Sequence, residues 1–277
     1  MVEHSLFDKV IAVVFDGTGF GEDNSIWGGG EFLIGDRTYF QRVGHLKKVK
    51  IQGGDKSIKE PWRCALSYLY SINYKDTSII KNTKEEKIQM IKKALYSNIN
   101  CYTSSSMGRF FDAVTSIIGV RNVISYDSQA PIELENIINE HIYSYYDYDI
   151  NRIDNTFEID YKNILLGIVK DLKENKNPSI ISSRFHNTVI NFTCDLVYKI
   201  RENYKLKYNL DKVILSGGVF QNNYLLKGIY QRLKDNGFNV FFNEKIPIND
   251  EGISLGQLAI GDSIIEKEKK NVHCNTR

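Results

Sequence analysis

The stretch "VVFDGTGFGEDNSIWGGGEFL" (Val13–Leu33) decides the fold. An apolar run ends at Asp16, glycines flank Thr18, and an Asp/Asn turn leads through Gly28–Gly30 into a second apolar run. A short apolar run bounded by turn residues reads as a buried strand. On that basis "KVIAVVFDG", "GGEFLIGD" and "TYFQRVGH" are three strands between Lys9 and His45, joined by turns into an antiparallel meander. After Asp16 the backbone is almost free of side chains. Amides at Gly17, Gly19 and Gly21 can face an anion, Thr18 adds a hydroxyl, and the Asp16 carboxylate can take a cation or a donor. The plain alternative is a hairpin turn. The spacing is neither a Walker loop nor the dinucleotide "GxGxxG", because a strand and not a helix follows.

Outward from this meander, "EPWRCALSYLYSI" has Glu60 and Pro61 at a helix start. "NYKDTSIIKNTKEEKIQMIKKALYS" has the charge pattern of a surface helix. "SSSMGRFFDAVTSIIGV" is a serine-capped helix with Phe110, Ala113, Val114, Ile117 and Ile118 along one face and a stop at Gly119. "PIELENIINEHI" opens a further helix with proline. "YSYYDYDINRIDNTFEID" alternates like a hairpin or edge ribbon, with the tyrosines on an edge strand. The long amphipathic "PSIISSRFHNTVINFTCDLVYKIREN" precedes "DKVILSGGVFQNNYLLKGIYQRLKDNGF", which reads as strand, glycine turn, helix and a Gly237 stop. "NVFFNE" is another strand, and a helix begins near Asp250. Three antiparallel strands, helices, then strand, helix, strand, helix is the order of an α/β ribonuclease-H-like lobe with a mixed sheet. Ligands of such sheets sit at strand carboxyl ends, where both glycine clusters fall.

Composition narrows the function classes. The chain has 277 residues, 42% hydrophobic and 25% charged, as in an ordinary globular protein with room for a full core. Its 36 basic and 34 acidic residues leave a net charge of +2, which gives no electrostatic case for nucleic acid or a membrane surface. No apolar run is long enough to span a bilayer, and "VIAVVF" follows Glu3 and Asp8 and not a basic leader. Cys64, Cys101, Cys194 and Cys274 lack metal-type spacing and fit a reducing cytoplasm, with Cys64 and Cys194 as small core residues. No repeat or linker divides the chain. Residues 1–265 form one lobe and 266–277 a polar tail.

Among residues able to do chemistry, "LSGGVFQNN" ends a strand in a glycine turn and starts a helix directly. Gly217 and Gly218 would admit close approach of a nucleoside, and Asn222 would hydrogen-bond a base or ribose; a tight structural turn is the alternative. Asp250, in "NDEGISLGQ", is either a helix cap or a second carboxylate for a cation shared with Asp16. Two carboxylates alone do not close a metal site. His45 and His186 read mainly as structural, Arg184 beside His186 leaves room for a phosphate, and Arg109 reaches a phosphate unless Asp112 simply neutralises it.

In order along the chain, "FDGTGFGEDNSIWGGGEFL", "RVGHLKKVKIQGGD", "KEPWRCAL", "TSSSMGRFFDAV", "SQAPIELE", "FHNTV", "LSGGVFQNNYLL" and "PINDEGISLGQ" resemble the C-terminal region of the hydrogenase-maturation carbamoyltransferase (HypF) family. The resemblance implies the second, TsaD-like lobe of a carbamoyltransferase domain in the actin-like ATPase (ASKHA) superfamily. It implies an ATP-derived carbamoyl-adenylate, a divalent metal (iron or zinc), and transfer of the carbamoyl group to the C-terminal cysteine of HypE on the way to the cyanide ligands of [NiFe] hydrogenase. By that resemblance Asp16 and Asp250 match carboxylate metal ligands. Gly17, Thr18, Gly19, Gly217, Gly218 and Asn222 match nucleotide-contacting turns. The family's metal-binding histidines lie upstream of "VEHSL", and His4 does not match one of them. The N-terminal family domains are therefore expected partners in cis or trans, and the chain is expected to be a fragment that is inactive alone. "WGGGE" carries one glycine more than the family pattern, Glu251 stands in place of a glycine, and Pro131 in place of a small residue. Two competing expectations are another carbamoyl or threonylcarbamoyl transferase, and a non-catalytic nucleotide-binding or HypE-docking module.

Overall fold

Strand β1 (Val10–Phe15) is apolar throughout because it lies at the centre of the sheet, with Ile11, Val13 and Phe15 fully buried. It pairs antiparallel with β2 (Gly30–Gly35), which pairs antiparallel with β3 (Phe40–Leu46). The expected meander is present, and the register Phe15↔Gly30 brings the two ends of the glycine-rich loop together. The computed structural model describes residues 1–274, with side chains through Glu266. After β4 (Val49–Gln52) come α1 (Lys56–Lys59), α2 (Pro61–Ser71) and α3 (Glu85–Tyr96). Then follow β5 (Cys101–Ser104), α4 (Met107–Ile117), α5 (Gln129–Asn136), β6 (Asp149–Ile153) and β7 (Thr156–Asp160). The chain continues with α6 (Lys162–Lys173), α7 (Pro178–Tyr204), β8 (Lys212–Ser216), α8 (Asn223–Asp235), β9 (Asn239–Phe242) and α9 (Ile253–Cys274).

The main sheet has the order β6-β7-β3-β2-β1-β8-β9. Strands β1, β8 and β9 are parallel, so both glycine turns, after Phe15 and after Ser216, emerge at the same sheet end. This is the expected α/β lobe with a mixed sheet. The β6–β7 hairpin forms the far edge, with β7 parallel to β3. The Tyr143–Tyr148 cluster precedes that hairpin and is not part of its edge strand. Tyr146 is buried and its hydroxyl donates to Asp171 (2.8 Å).

Three elements differ from the sequence expectation. A separate two-stranded sheet pairs β4 with β5, and α6 fills the interval between the hairpin and α7. Helix α4 was expected to bury one face, yet all eleven of its residues are buried. It packs against α2 and α5, so it runs through the core. Cys64 and Cys194 are core residues as expected. Helix α9 continues through residue 266, where the tail was expected to start, and positions 275–277 lie outside the described residues. Among the described residues, no helix is long and apolar enough to cross a membrane.

Candidate functional site

The floor of the site is the corner that the chain makes at the end of β1. The Phe15 ring stacks on Phe220 (5.2 Å between centroids) and meets Phe32 edge-on (5.8 Å), which ties the two glycine turns to one aromatic cluster. At Asp16 the backbone N–H donates to the Gly29 carbonyl (2.9 Å), and the Asp16 carbonyl accepts from the Gly108 N–H (3.0 Å). Ser106 caps α4 by accepting from the Arg109 N–H (3.1 Å). Its hydroxyl lies 3.0 Å from the Asp16 carbonyl and 2.8 Å from that of Gly17. Gly29, at φ +61°, is forced: a Cβ there would stand 2.0 Å from the Asp16 nitrogen. Gly217, at φ +101°, is forced in the same way by the Phe15 carbonyl oxygen at 2.3 Å.

Above this floor a cavity of ≈ 670 Å³ opens between the ends of β1 and β8, the start of α4, helix α5 and the Asn249–Asp250 turn. Asp16, Gly17, Gly218, Asn222 and Asp250 line it, so residues from both ends of the sequence meet on one wall. Thr18, Gly19 and Gly217 are not on that wall. The Gly217 N–H is spent on the Ile248 carbonyl (3.2 Å) and holds the Asp250 loop against β8. The Gly17 N–H is turned inward to Asp16 Oδ1 (2.7 Å), so it does not face an anion as the glycine pattern led one to expect.

Burial raises the Asp16 carboxyl above its ordinary value, and the charge of Asp250 adds to the rise; the Gly17 and Gly218 amides and Arg109 oppose it. Asn222 is less available than its motif implied. It caps α8 through Oδ1, which accepts from the Leu225 N–H (2.9 Å), and its Nδ2 stands 3.0 Å from His186 Nε2. One Nδ2 hydrogen remains for a ligand. His186 is fully buried, its Nδ1 donates to the Ser182 carbonyl (2.8 Å), and burial lowers its pKa to about 4. It is a neutral packing residue that fixes Asn222.

The pattern of the chain is shared well beyond these residues. A family described as "Carbamoyltransferase, Kae1-like Domain, second subdomain" matches residues 12–257. The chain belongs to the HypF carbamoyltransferase family. Carbamoyltransferase HypF of Synechocystis sp. is 31% identical, with 93% of this chain and 35% of the relative covered. The probable carbamoyltransferase HypF of Methanocaldococcus jannaschii is also 31% identical, covering 92% and 33%. The chain thus spans about a third of the length of these HypF relatives. A solved structure, full-length HypF "in the phosphate- and nucleotide-bound form", superposes with a TM-score of 0.89 at 41% identity, over 96% of this chain and 41% of that one. HypF of T. kodakarensis shares the fold, with a TM-score of 0.76 at 22% identity.

Asp16 and Asp250, the residues matched to HypF metal ligands, fit a divalent cation as two of its oxygen donors. Burial first and the Asp250 charge second raise the Asp16 carboxyl, and a cation held by both residues would offset that penalty. Among the described residues, no group of three or more His, Cys, Asp or Glu stands ready to hold a metal, so further ligands would have to come from elsewhere. His4 is engaged with the Phe242 carbonyl (2.7 Å). His45 contacts the Leu46 carbonyl (2.9 Å), and burial lowers its pKa to about 4. Arg184 pairs with Asp171 (2.6 Å) over the Tyr146 ring, which accounts for it structurally.

Sequence reasoning missed Asp127 and Glu135 on the cavity wall and undervalued Ser106 and Arg109. Asp127 lies in no recognisable motif, and Glu135 closes the "SQAPIELE" stretch without a role that its spacing announces. Ser106 was legible only as a cap, and its second role, fixing the Asp16 corner, depends on a contact across 90 residues. A larger hollow of ≈ 750 Å³ lies beyond Glu135 between α7 and α8, and Glu135 is the wall residue common to both.

Proposed function

We propose that this cavity binds the adenylate of an activated carbamoyl group, and that the chain, with the rest of a HypF-type polypeptide, transfers that group to the C-terminal cysteine of HypE. The observation that carries the proposal is the convergence of Asp16, Asp250 and Arg109 on one cavity in a chain of carbamoyltransferase family. In the reaction, a thiolate attacks the carbamoyl carbon. The C–S bond forms, the bond from carbon to the phosphate oxygen breaks, and AMP leaves with the electron pair. A divalent cation bound by Asp16 and Asp250 would supply Lewis-acid polarisation of a ligand oxygen. The chain's own contribution is placement: Arg109 balances the phosphate charge, the remaining Asn222 hydrogen orients the nucleoside, and the rigid Asp16 corner holds its carboxylate without reorganisation.

Carbamoylation of HypE is the step from which cyanide ligands of the hydrogenase iron are made, so the assignment places the chain in hydrogenase maturation. The free thiols of Cys64, Cys101 and Cys194 support a cytoplasmic setting. The test is the intact mass of HypE after incubation with carbamoyl-adenylate, zinc or iron, and either this chain alone or the chain joined to the preceding HypF domains. The expected result is a carbamoyl-sized increase with the joined protein, abolished by Asp16→Ala. Carbamoylation of a small-molecule hydroxyl or of tRNA, with HypE unchanged, would overturn the proposal.

A further inference from the structure

We infer that Arg109 is the residue that reads the anionic end of the ligand in the Asp16–Asp250 cavity, and that Asp112 is its competitor within the chain. The inference rests on the proposed assignment of this cavity to a nucleotide. A buried guanidinium needs partners for its five N–H donors, because an unpaired buried charge is costly. Arg109 is only 8% exposed, yet its Nε and Nη1 make no hydrogen bond. Asp112 Oδ2 stands 2.9 Å from Nη1 but is itself without a hydrogen bond. The pair therefore attracts without the alignment that would use up the donors.

Nε and Nη1 are themselves shut away from solvent, and the guanidinium meets the cavity through Nη2. Arg109 lines the cavity, and its Nη2 lies 3.4 Å from where a Cβ on Gly17 would be, directly beside the Asp16 corner. It sits on the first turn of α4, an eleven-residue helix whose start forms part of the same wall. The other charged side chains on the described wall are all acidic: Asp16, Asp127, Glu135 and Asp250. An anion entering the cavity is repelled by four carboxylates and attracted by one side chain. That side chain is Arg109.

Asp112 is 2% exposed, and burial lifts its carboxyl to about 6 against the pull of Arg109. Such a carboxylate holds the guanidinium in place while the cavity is empty and must give up part of it when an anion arrives. A purely structural ion pair makes a different forecast. Removing either partner would then weaken every property of the cavity in the same direction.

Titration calorimetry with AMP and adenosine as probes separates the two. Arg109→Met is expected to weaken AMP about tenfold or more, the size of a lost charge-assisted hydrogen bond, with adenosine affinity unchanged. Arg109→Lys keeps a charge but loses the planar fork, and is expected to fall between the two. Asp112→Asn is expected to strengthen AMP binding and leave adenosine alone. The lysine and asparagine variants keep the test intact where the methionine variant fails to fold, with thermal unfolding as the check. Equal AMP-to-adenosine ratios in the native and Arg109 proteins would overturn the inference, as would loss of AMP affinity in both Arg109→Lys and Asp112→Asn. Absence of HypE carbamoylation with Arg109-dependent AMP selectivity intact would defeat the transfer assignment alone; carbamoylation without that selectivity would defeat this inference alone.

Discussion

The two carboxylates of the site are held in opposite ways. Asp16 belongs to a corner locked by the Gly29 and Gly108 backbones, the Ser106 hydroxyl and the Phe15–Phe220–Phe32 aromatic cluster. Asp250 sits on an exposed turn fastened by Asn249, whose Oδ1 accepts from the Glu251 N–H (3.3 Å), and by the bond between Gly217 and Ile248. Helix α9 follows, and none of its described side chains is buried. One arm is therefore built before a ligand arrives. The other has little to hold it among the described residues. The lesson is that a binding site can place its cost on one side: the rigid arm supplies geometry and the loose arm supplies access.

Substitutions test this asymmetry directly. The largest expected effect is Phe15→Ala, which should cost about 3–5 kcal/mol by opening a cavity in the aromatic cluster. Leu258→Ala on α9, where the side chain is 72% exposed, should stay within about 0.5 kcal/mol. Equal losses in urea unfolding would break the comparison. Next, Gly29→Ala should cost about 3 kcal/mol, because the new methyl group collides with the Asp16 backbone. Gly256→Ala meets nothing within 4 Å and should be neutral or stabilise α9 by up to about 1 kcal/mol. Ser106→Ala should cost about 1 kcal/mol from the lost helix cap. It should also weaken AMP more than Asn249→Ala does, since the Ser106 hydroxyl, together with the Gly108 N–H, ties the start of α4 to the Asp16 corner.

The smallest effect is a pH dependence. Burial raises the folded Asp16 pKa above its ordinary 3.8, so between the two values the folded chain binds this proton more tightly than the unfolded chain. Its contribution to stability is full below 3.8 and is lost as pH rises through the folded value. Asp16→Asn should therefore gain thermal stability relative to the native protein as pH rises from 3 to 7, while losing transfer activity. A difference in melting temperature that stays flat across this range would show that the corner is solvated like the Asp250 turn.

How much of this was legible depended on whether the decisive contacts were local. The meander, α4, α7 and the β8–turn–α8 unit announce themselves by unbroken apolar runs, caps and glycines within one window. The β4–β5 sheet could not: each strand has four residues, and Val49 finds its partner at Ser104. Helix α6 carries Ile164, Leu165, Ile168 and Val169 at helical spacing, but Gly167 interrupts the pattern. That glycine is explained only by Tyr146, whose ring would lie 2.5 Å from a Cβ there. At the site, Asp16 and Asp250 were visible as carboxylates beside glycine turns. For Arg109 the sequence leaves two readings open, a phosphate contact or neutralisation by Asp112 at i+3, and the burial of both side chains is what it could not show.

Hydrogen–deuterium exchange with and without AMP and zinc tests most directly the claim that both arms serve one ligand. The account predicts slow exchange at Asp16 and Gly108 in both states, with new protection on binding from Asn249 to Gly252. Protection confined to the Asp16 corner, or an Asn249–Gly252 segment that exchanges equally fast with ligand bound, would contradict it.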